Sequence, residues 1–314
     1  MVRGDETLRV QVFLLVVGLV YVAAAMALFG RFVARPRRPL RLWSRTALGL
    51  AAAGVACMLY GRFVEPRWIE VTQTRVPTAR LPAGHRGVRI VHLSDIHSDA
   101  APLVETRLPA IVAELKPDLI VFTGDAANDE DGVPVFRRCL ADIARIAPTF
   151  VVEGNWDAGY SPAGDRFART GTTKLDGASA TVEVAGAKVR VVGAGFLAGL
   201  QGIGPALAAL PADGPAVVLY HCPYPDVVPA RAAARGDLMC AGHVHGGQVA
   251  LPFYGALLTL SKYGKKYERG LYPDVGGFPM YVSRGIGMEG GSAPRVRFCS
   301  RPEVALIVLV PAAK

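Results

Sequence analysis

Apolar and polar residues follow two different rhythms along this chain. Residues 10–30 contain no charged side chain, and at about 1.5 Å per residue they predict a helix able to cross a hydrocarbon layer roughly 30 Å thick. A second uncharged run, 46–61, predicts about 24 Å of helix, which Phe63 and Val64 can lengthen if Arg62 snorkels. Beyond Pro66, Pro77 and Pro82 the pattern changes to short apolar runs separated by amphipathic stretches, the rhythm of an α/β domain. Strands are predicted at about 88–93, 118–123, 149–152, 181–185, 188–193, 216–220, 237–240, 280–283 and 303–310. Apolar residues at three- and four-residue spacing predict helices over 103–115 and 135–146, with Pro117 and Pro148 just beyond them. The pair 181–193 around Ala185-Gly186-Ala187 reads as a hairpin, so the sheets are mixed. The expected organisation is a membrane anchor of one or two transmembrane helices over 1–64, a connector over 65–85 and a globular domain over 86–314.

Composition adds where the apolarity and the charge reside. The 314 residues are 51% apolar and 19% charged, with a mean hydropathy of +0.30, too apolar for a plain soluble domain unless a membrane segment carries the excess. Of the net charge of +9, nine arginines against two acids within residues 1–64 supply +7. The remaining +2 is too weak a field for a nucleic-acid partner. Arg31, Arg35, Arg37, Arg38, Arg41 and Arg45 crowd the link between the two apolar runs, which places that link in the cytoplasm of a bacterial-type inner membrane. If both runs span, the globular domain is extracytoplasmic; if only the first spans, it lies inside. Five cysteines without a C-x-x-C pair suggest neither a disulfide framework nor a zinc ribbon.

Candidate chemistry gathers where predicted strands end: Ser94-Asp95-Ile96-His97, Thr123-Gly124-Asp125, Glu153-Gly154-Asn155-Trp156-Asp157, Tyr220-His221 and Gly242-His243-Val244-His245-Gly246. Four of the six histidines fall in this set. Strand ends are where α/β proteins build sites, and carboxylate with imidazole suits first-row divalent metals. His92 reads as a core residue rather than a ligand, His85 as solvated, and Cys222 and Cys240 as small buried thiols.

These five pieces, in this order, resemble the calcineurin-like metallophosphoesterase superfamily, whose pattern is D-x-H, G-D, G-N-H-[DE], H and G-H-x-H. The resemblance covers about residues 86–314. It implies a four-layer αββα sandwich of two mixed sheets with a two-metal site on its rim, the metals being manganese foremost, with iron or zinc as alternatives. Carried over by position, Asp95, His97 and His245 would hold one metal, Asn155, His221 and His243 the other, and Asp125 would bridge. Asp125 and Asn155 would thereby also be catalytic. The N-terminal apolar run and the ending Tyr281-Val282-Ser283-Arg284-Gly285-Ile286-Gly287 look like the membrane-associated branch that includes a UDP-2,3-diacylglucosamine pyrophosphatase of lipid A biosynthesis. That branch implies a phosphate-containing, amphiphilic substrate and contact with membrane lipid; no protein partner is inferred. Its sugar nucleotide is cleaved on the cytoplasmic side, in conflict with two spans, and an exported domain would favour a periplasmic phosphodiesterase or phosphatase. A noncatalytic metal-binding scaffold is the rival from another class.

Trp156 departs from the pattern, standing where many members have the histidine that protonates the leaving oxygen. Indole cannot supply that proton, so a phosphoanhydride or activated diester is expected in preference to an alkyl monoester. Asp157 or an arginine is the alternative source of the missing function. Arg284, beside Gly285 at a strand end, is expected to contact phosphate, its fork suited to the oxygens. Lys262, Lys265, Lys266 and Arg269, interleaved with Tyr263, Tyr267 and Tyr272, are either a lip that meets phosphate or anionic headgroups or a solvated loop.

Overall fold

The structure, a computed structural model, describes residues 4–34, 41–159, 164–290 and 294–312. One six-stranded sheet runs, in spatial order, Glu70–Thr78, Glu303–Pro311, Val88–Leu93, Leu119–Phe122, Thr149–Val151 and Thr173–Lys174. The other runs Gly270–Tyr272, Met280–Val282, Leu238–Ala241, Ala216–Leu219, Ala187–Gly193 and Ala178–Val184. Each mixes parallel and antiparallel pairs: Val88–Leu93 lies parallel to Leu119–Phe122 and antiparallel to Glu303–Pro311. The hairpin joining Ala178–Val184 to Ala187–Gly193 turns on Ala185 and Gly186, both at positive φ, as a two-residue turn requires.

The strands are apolar on both faces because both faces are covered. Ile90, Val121 and Ile307 of the first sheet meet Val189, Val217 and Leu238 of the second in one core. Their neighbours Val91, Ile120 and Leu306 turn outward onto the helices Leu108–Glu114 and Val133–Ala144. On the far side, Val192, Val218 and Met239 pack with Ile203 and Leu207 of the helix Gly199–Ala208. Three cores separated by two sheets make the four αββα layers that the sequence implies.

The stretch expected as a connector is in part a strand. Glu70–Thr78 pairs in parallel with Glu303–Pro311 over its whole length, so the globular domain begins well before residue 86. Thr72, Thr74, Val76 and Thr78 alternate with the exposed Val71, Gln73, Arg75 and Pro77, a half-buried edge pattern, and Pro77 is tolerated because an edge strand need not donate on both sides. The helix expected at 103–115 starts only at Leu108, since the Glu105 carboxylate accepts the N–H groups of Leu103 and Val104 at 2.6 and 2.9 Å and holds them in a turn.

Before the domain stand two helices, Gly4–Phe29 and Leu42–Leu59, each running on for about one more turn. The stretches Glu6–Val33 and Leu42–Arg67 are long and apolar enough to cross a membrane. Leu15, Val16, Leu19 and Val22 on the first, and Leu50, Val55 and Met58 on the second, are exposed. The two helices form an antiparallel hairpin whose open end grips the domain. At the start of the first, Glu6 accepts hydrogen bonds from Thr259. At the end of the second, the Gly61 carbonyl accepts from the Arg297 N–H at 2.8 Å, and Glu65 accepts from the N–H groups of Cys299 and Ser300 at 3.0 and 2.6 Å. Arg31, Arg41 and Arg45 lie towards the opposite end; Arg35, Arg37 and Arg38 fall outside the described residues.

Candidate metal centre

The seven residues Asp95, His97, Asp125, Asn155, His221, His243 and His245 come together at the rim where strands of both sheets end. Asp125 lies between two groups: its Oδ2 is 3.4 Å from His97 Nε2 and 3.3 Å from His221 Nε2. On one side, His245 Nε2 is 3.2 Å from His97 Nε2 and 3.5 Å from Asp95 Oδ1. On the other, Asn155 Oδ1 is 2.9 Å from both His221 Nε2 and His243 Nδ1. The ligand atoms of Asp95, His97 and His245, and those of Asp95, Asp125 and His221, lie within 4.8 Å of one another in each set.

The backbone is bent to achieve this. Asp95, His97, Asp125, His243 and His245 all have φ between 44° and 70°, left-handed conformations that cost a non-glycine residue about 1 kcal/mol or more and persist where the surroundings over-determine them. The turns interlock: Gly124 sits at φ 98° and a Cβ there would run into the backbone of Gly154, while a Cβ on Gly154 would strike the Asp125 carboxylate. Two crossing loops can approach this closely only through glycine.

The second nitrogen of each of three histidines sets which nitrogen faces the site. His221 Nδ1 donates to the Thr123 carbonyl at 2.7 Å and His97 Nδ1 to Asn128 Oδ1 at 3.1 Å. The remaining nitrogen of His243 donates to the Leu260 carbonyl. His221 Nε2 and His243 Nδ1 consequently face each other 3.2 Å apart around the Asn155 oxygen, and in the neutral imidazoles both are acceptors. Three converging acceptors demand a proton or a cation among them, and mixed carboxylate and imidazole donors fit a first-row divalent metal.

The electrostatics point the same way. Burial alone would strip His221 of its proton, but Asp125 and Asp95 outweigh it and hold its pKa up at about 9. Asp125 is held well below the usual carboxylate range: burial opposes this and the His221 and His97 partners prevail. Burial, aided by repulsion from Asp125, raises Asp95 to about 6. Burial and then the His221 charge lower His243 to about 4. A pocket that already holds positive charge against two buried acids is one a dication can enter by displacing protons.

Other expected residues fare differently. Arg284 does not reach the site: its guanidinium is committed to Glu70 at 2.9 Å and Glu303 at 3.4 Å. The expected phosphate contact is therefore replaced by an ion pair that ties strand ends together. Asp157 is no proton donor either. It accepts three backbone bonds, from the N–H groups of Asp125, Ala126 and Gly154 at 2.8, 3.0 and 2.8 Å, and serves as a brace beneath the Asp125 loop. His85 is not merely solvated but accepts from the Gly87 N–H and bonds the Val184 carbonyl. His92 is fully buried against Thr123, outside the donor set. Cys222 lies beside His221 and His243, yet burial and the charges of Asp125 and Asp95 push its pKa well up, so it stays a thiol. In the basic, aromatic stretch, Lys262 pairs with Asp226 and Lys265 with Glu268, and the rings of Tyr263, Tyr267 and Tyr272 stack edge to face.

Two residues that motif reading passed over stand at the rim. Asn128, three positions after Asp125, holds His97 through both its side chain and its carbonyl, the latter at 2.9 Å. Glu289 accepts the Trp156 side chain and is raised by burial, partly countered by His97. Trp156 itself packs edge-on to His97, ring centroids 5.5 Å apart. Replacing Asn128 with Ala should weaken metal binding by about 10- to 100-fold, the usual cost of losing a partner that orients a ligand, with little loss of secondary structure; metal titration of the stripped protein reads it directly.

Oxygen and nitrogen donors gathered on the edge of an αββα sandwich define a metal-dependent hydrolase. A family model described as calcineurin-like phosphoesterase matches residues 88–247, and the chain belongs to that family; it is a metallophosphoesterase, a hydrolase of phosphoester bonds. Among curated relatives, the uncharacterized metallophosphoesterase YkuE of Bacillus subtilis is 32% identical, covering 80% of this chain and 88% of that protein. Phosphodiesterase YaeI of Escherichia coli is 30% identical, covering 80% and 92%. UDP-2,3-diacylglucosamine pyrophosphatase LpxG of Chlamydia trachomatis is 24% identical, covering 82% and 94%.

Proposed function

We propose that this protein is a membrane-anchored two-metal phosphohydrolase that cleaves a phosphodiester or phosphoanhydride of an amphiphilic substrate. The observation that carries this reading is Asp125 placed between two donor groups, with one carboxylate oxygen within 3.4 Å of a histidine of each. Asp95, His97 and His245 would hold one cation and Asn155, His221 and His243 the other, with manganese the first candidate. When bound, such a pair draws charge from phosphoryl oxygens and lowers the pKa of water into the neutral range. The chain's own residues arrange the rest. Thr123, Asn128 and Leu260 fix which imidazole nitrogen faces inward, Asp157 holds the Asp125 loop in place, and the neutral Asn155 keeps the site cationic enough for a phosphate.

Trp156 and Glu289 set the preference for leaving groups. The indole N–H is occupied by the Glu289 carboxylate and cannot protonate a departing alkoxide. A phosphate or aryl oxide departs without that help. With manganese, the purified full chain is expected to hydrolyse bis-aryl phosphate and nucleotide-sugar pyrophosphates faster than alkyl phosphomonoesters. Faster alkyl monoester cleavage overturns the preference, and two bound metals without turnover on any ester would make the protein a scaffold.

The helical hairpin supports one orientation. Arg31, Arg41 and Arg45 lie at its end away from the domain, and cytoplasmic retention of basic links favours a domain outside. An alkaline phosphatase reporter fused after Lys314 is expected to be active in cells. An inactive one, with a fluorescent fusion bright in its place, would move the domain to the cytoplasm and favour a UDP-2,3-diacylglucosamine substrate, as the relationship to LpxG suggests.

A further inference from the structure

The first apolar helix does more than tether the domain. Against its opening turns lies a cleft of about 210 Å³, smaller than the 300–1,000 Å³ typical of a whole small-molecule site and so shaped for part of a ligand. One wall is Val10, Phe13 and Leu14, which share a face at three- and four-residue spacing. The opposite wall is Val249, Leu257 and Leu258. His243 and His245 also line it, one from each proposed metal subsite, so the cleft borders the place where a scissile phosphate would sit.

The wall is locked in position. Glu6, fully buried, accepts from the Thr259 N–H and hydroxyl at 3.1 and 2.7 Å, while its second oxygen is buried without a partner. Burying a carboxylate this way is costly, and what it secures is the register between the helix and the segment that forms the far wall. Beyond the cleft the same helix continues with Leu15, Val16 and Leu19 exposed, so one helix carries apolar side chains both in the cleft beside the metal ligands and along the part suited to lipid. The turn that joins the two halves of the far wall carries Phe253, fully exposed, an apolar tip fit for the interface. Gln248, Thr259 and Glu289 also line the cleft, but most of its surface is apolar, so a sugar or nucleotide would lose most of its hydrogen bonds there; a hydrocarbon chain loses none.

We infer that the cleft is a seat for the hydrocarbon chain of the substrate, which enters from the bilayer between the first helix and residues 249–258 while its phosphate reaches the histidines. This rests on the phosphohydrolase reading above. The test uses full-length protein in detergent micelles with manganese and p-nitrophenyl phosphodiesters whose second ester group is methyl, octyl or hexadecyl. Wild-type kcat/KM should rise at least about tenfold from methyl to hexadecyl, the worth of roughly two buried methylenes, mainly through KM. In Leu258→Trp and Val10→Trp, which fill the cleft, that ratio should fall towards one. A hexadecyl phosphonate carrying a diazirine on its chain should label peptides containing residues 10–14 and 257–258 of the wild type. Hydrolysis of the methyl ester with no chain-length dependence overturns the seat and leaves the phosphohydrolase standing. A dependence that survives both substitutions reports partition into micelles and also overturns it, as does labelling elsewhere. No hydrolysis of any of these diesters or of a nucleotide-sugar pyrophosphate removes the underlying reading and the seat with it.

Discussion

Asp125→Asn is expected to lower kcat by about a thousandfold or more while leaving the fold intact. The carboxylate lies 3.3 and 3.4 Å from a histidine of each half of the donor set, and it supplies a negative charge that two dications would share. Losing one preorganised charged group at a site of developing charge typically costs 10²- to 10³-fold, and here metal occupancy would fall as well. The amide keeps the steric shape and an oxygen able to accept the backbone N–H of Trp156, now at 2.9 Å, so the interlocked turns at Gly124 and Gly154 are spared. Metal analysis should show fewer than two metals per chain, with circular dichroism unchanged. Full activity with two metals retained would remove Asp125 from the bridging position.

Arg297→Leu is expected to have the largest effect on stability, about 3–5 kcal/mol, read as a fall in Tm of about 10 °C. Arg297 is fully buried and faces no carboxylate within bonding distance. Instead it donates to the carbonyls of Gly287, Arg284 and Ser300 at 2.8, 3.0 and 2.8 Å. Burial lowers its pKa to about 10, still charged at neutral pH. Leucine would leave three buried carbonyls without donors, each costing roughly 1–3 kcal/mol. The same residue's backbone N–H bonds Gly61, so the loss falls at the weld between the helical hairpin and the domain. Arg145→Ala is the control: its pair with Asp142 is a surface contact with the arginine side chain 77% exposed, and the change should be worth under about 1 kcal/mol. Equal effects from the two would show that Arg297 is not the keystone of that junction.

The layers of the fold were legible in the sequence because buried strands and amphipathic helices leave periodic signatures, and all nine predicted strands correspond to observed ones. What was misread has a common cause. Glu70–Thr78 looks like a connector because its one proline and its polar residues are locally unremarkable; only its pairing with Glu303–Pro311, more than 200 residues away, makes it a strand. Arg284 misled in the same way. Beside a strand end and a glycine it has the features of a phosphate contact, and nothing nearby in the chain reveals that Glu70 occupies it. Asn128 and Glu289 carry no motif at all, since each matters through the residue it touches.

By itself the sequence determined the candidate donors, the two apolar segments and nine of the strands, because residue chemistry and periodicity are local properties of a chain. Tertiary structure alone decided which donors share a carboxylate, which imidazole nitrogen is turned inward, and that the first helix forms one wall of a cleft that His243 and His245 also line. Those are relations between segments distant along the chain, and they exist only once folding has offset the entropy of bringing them together.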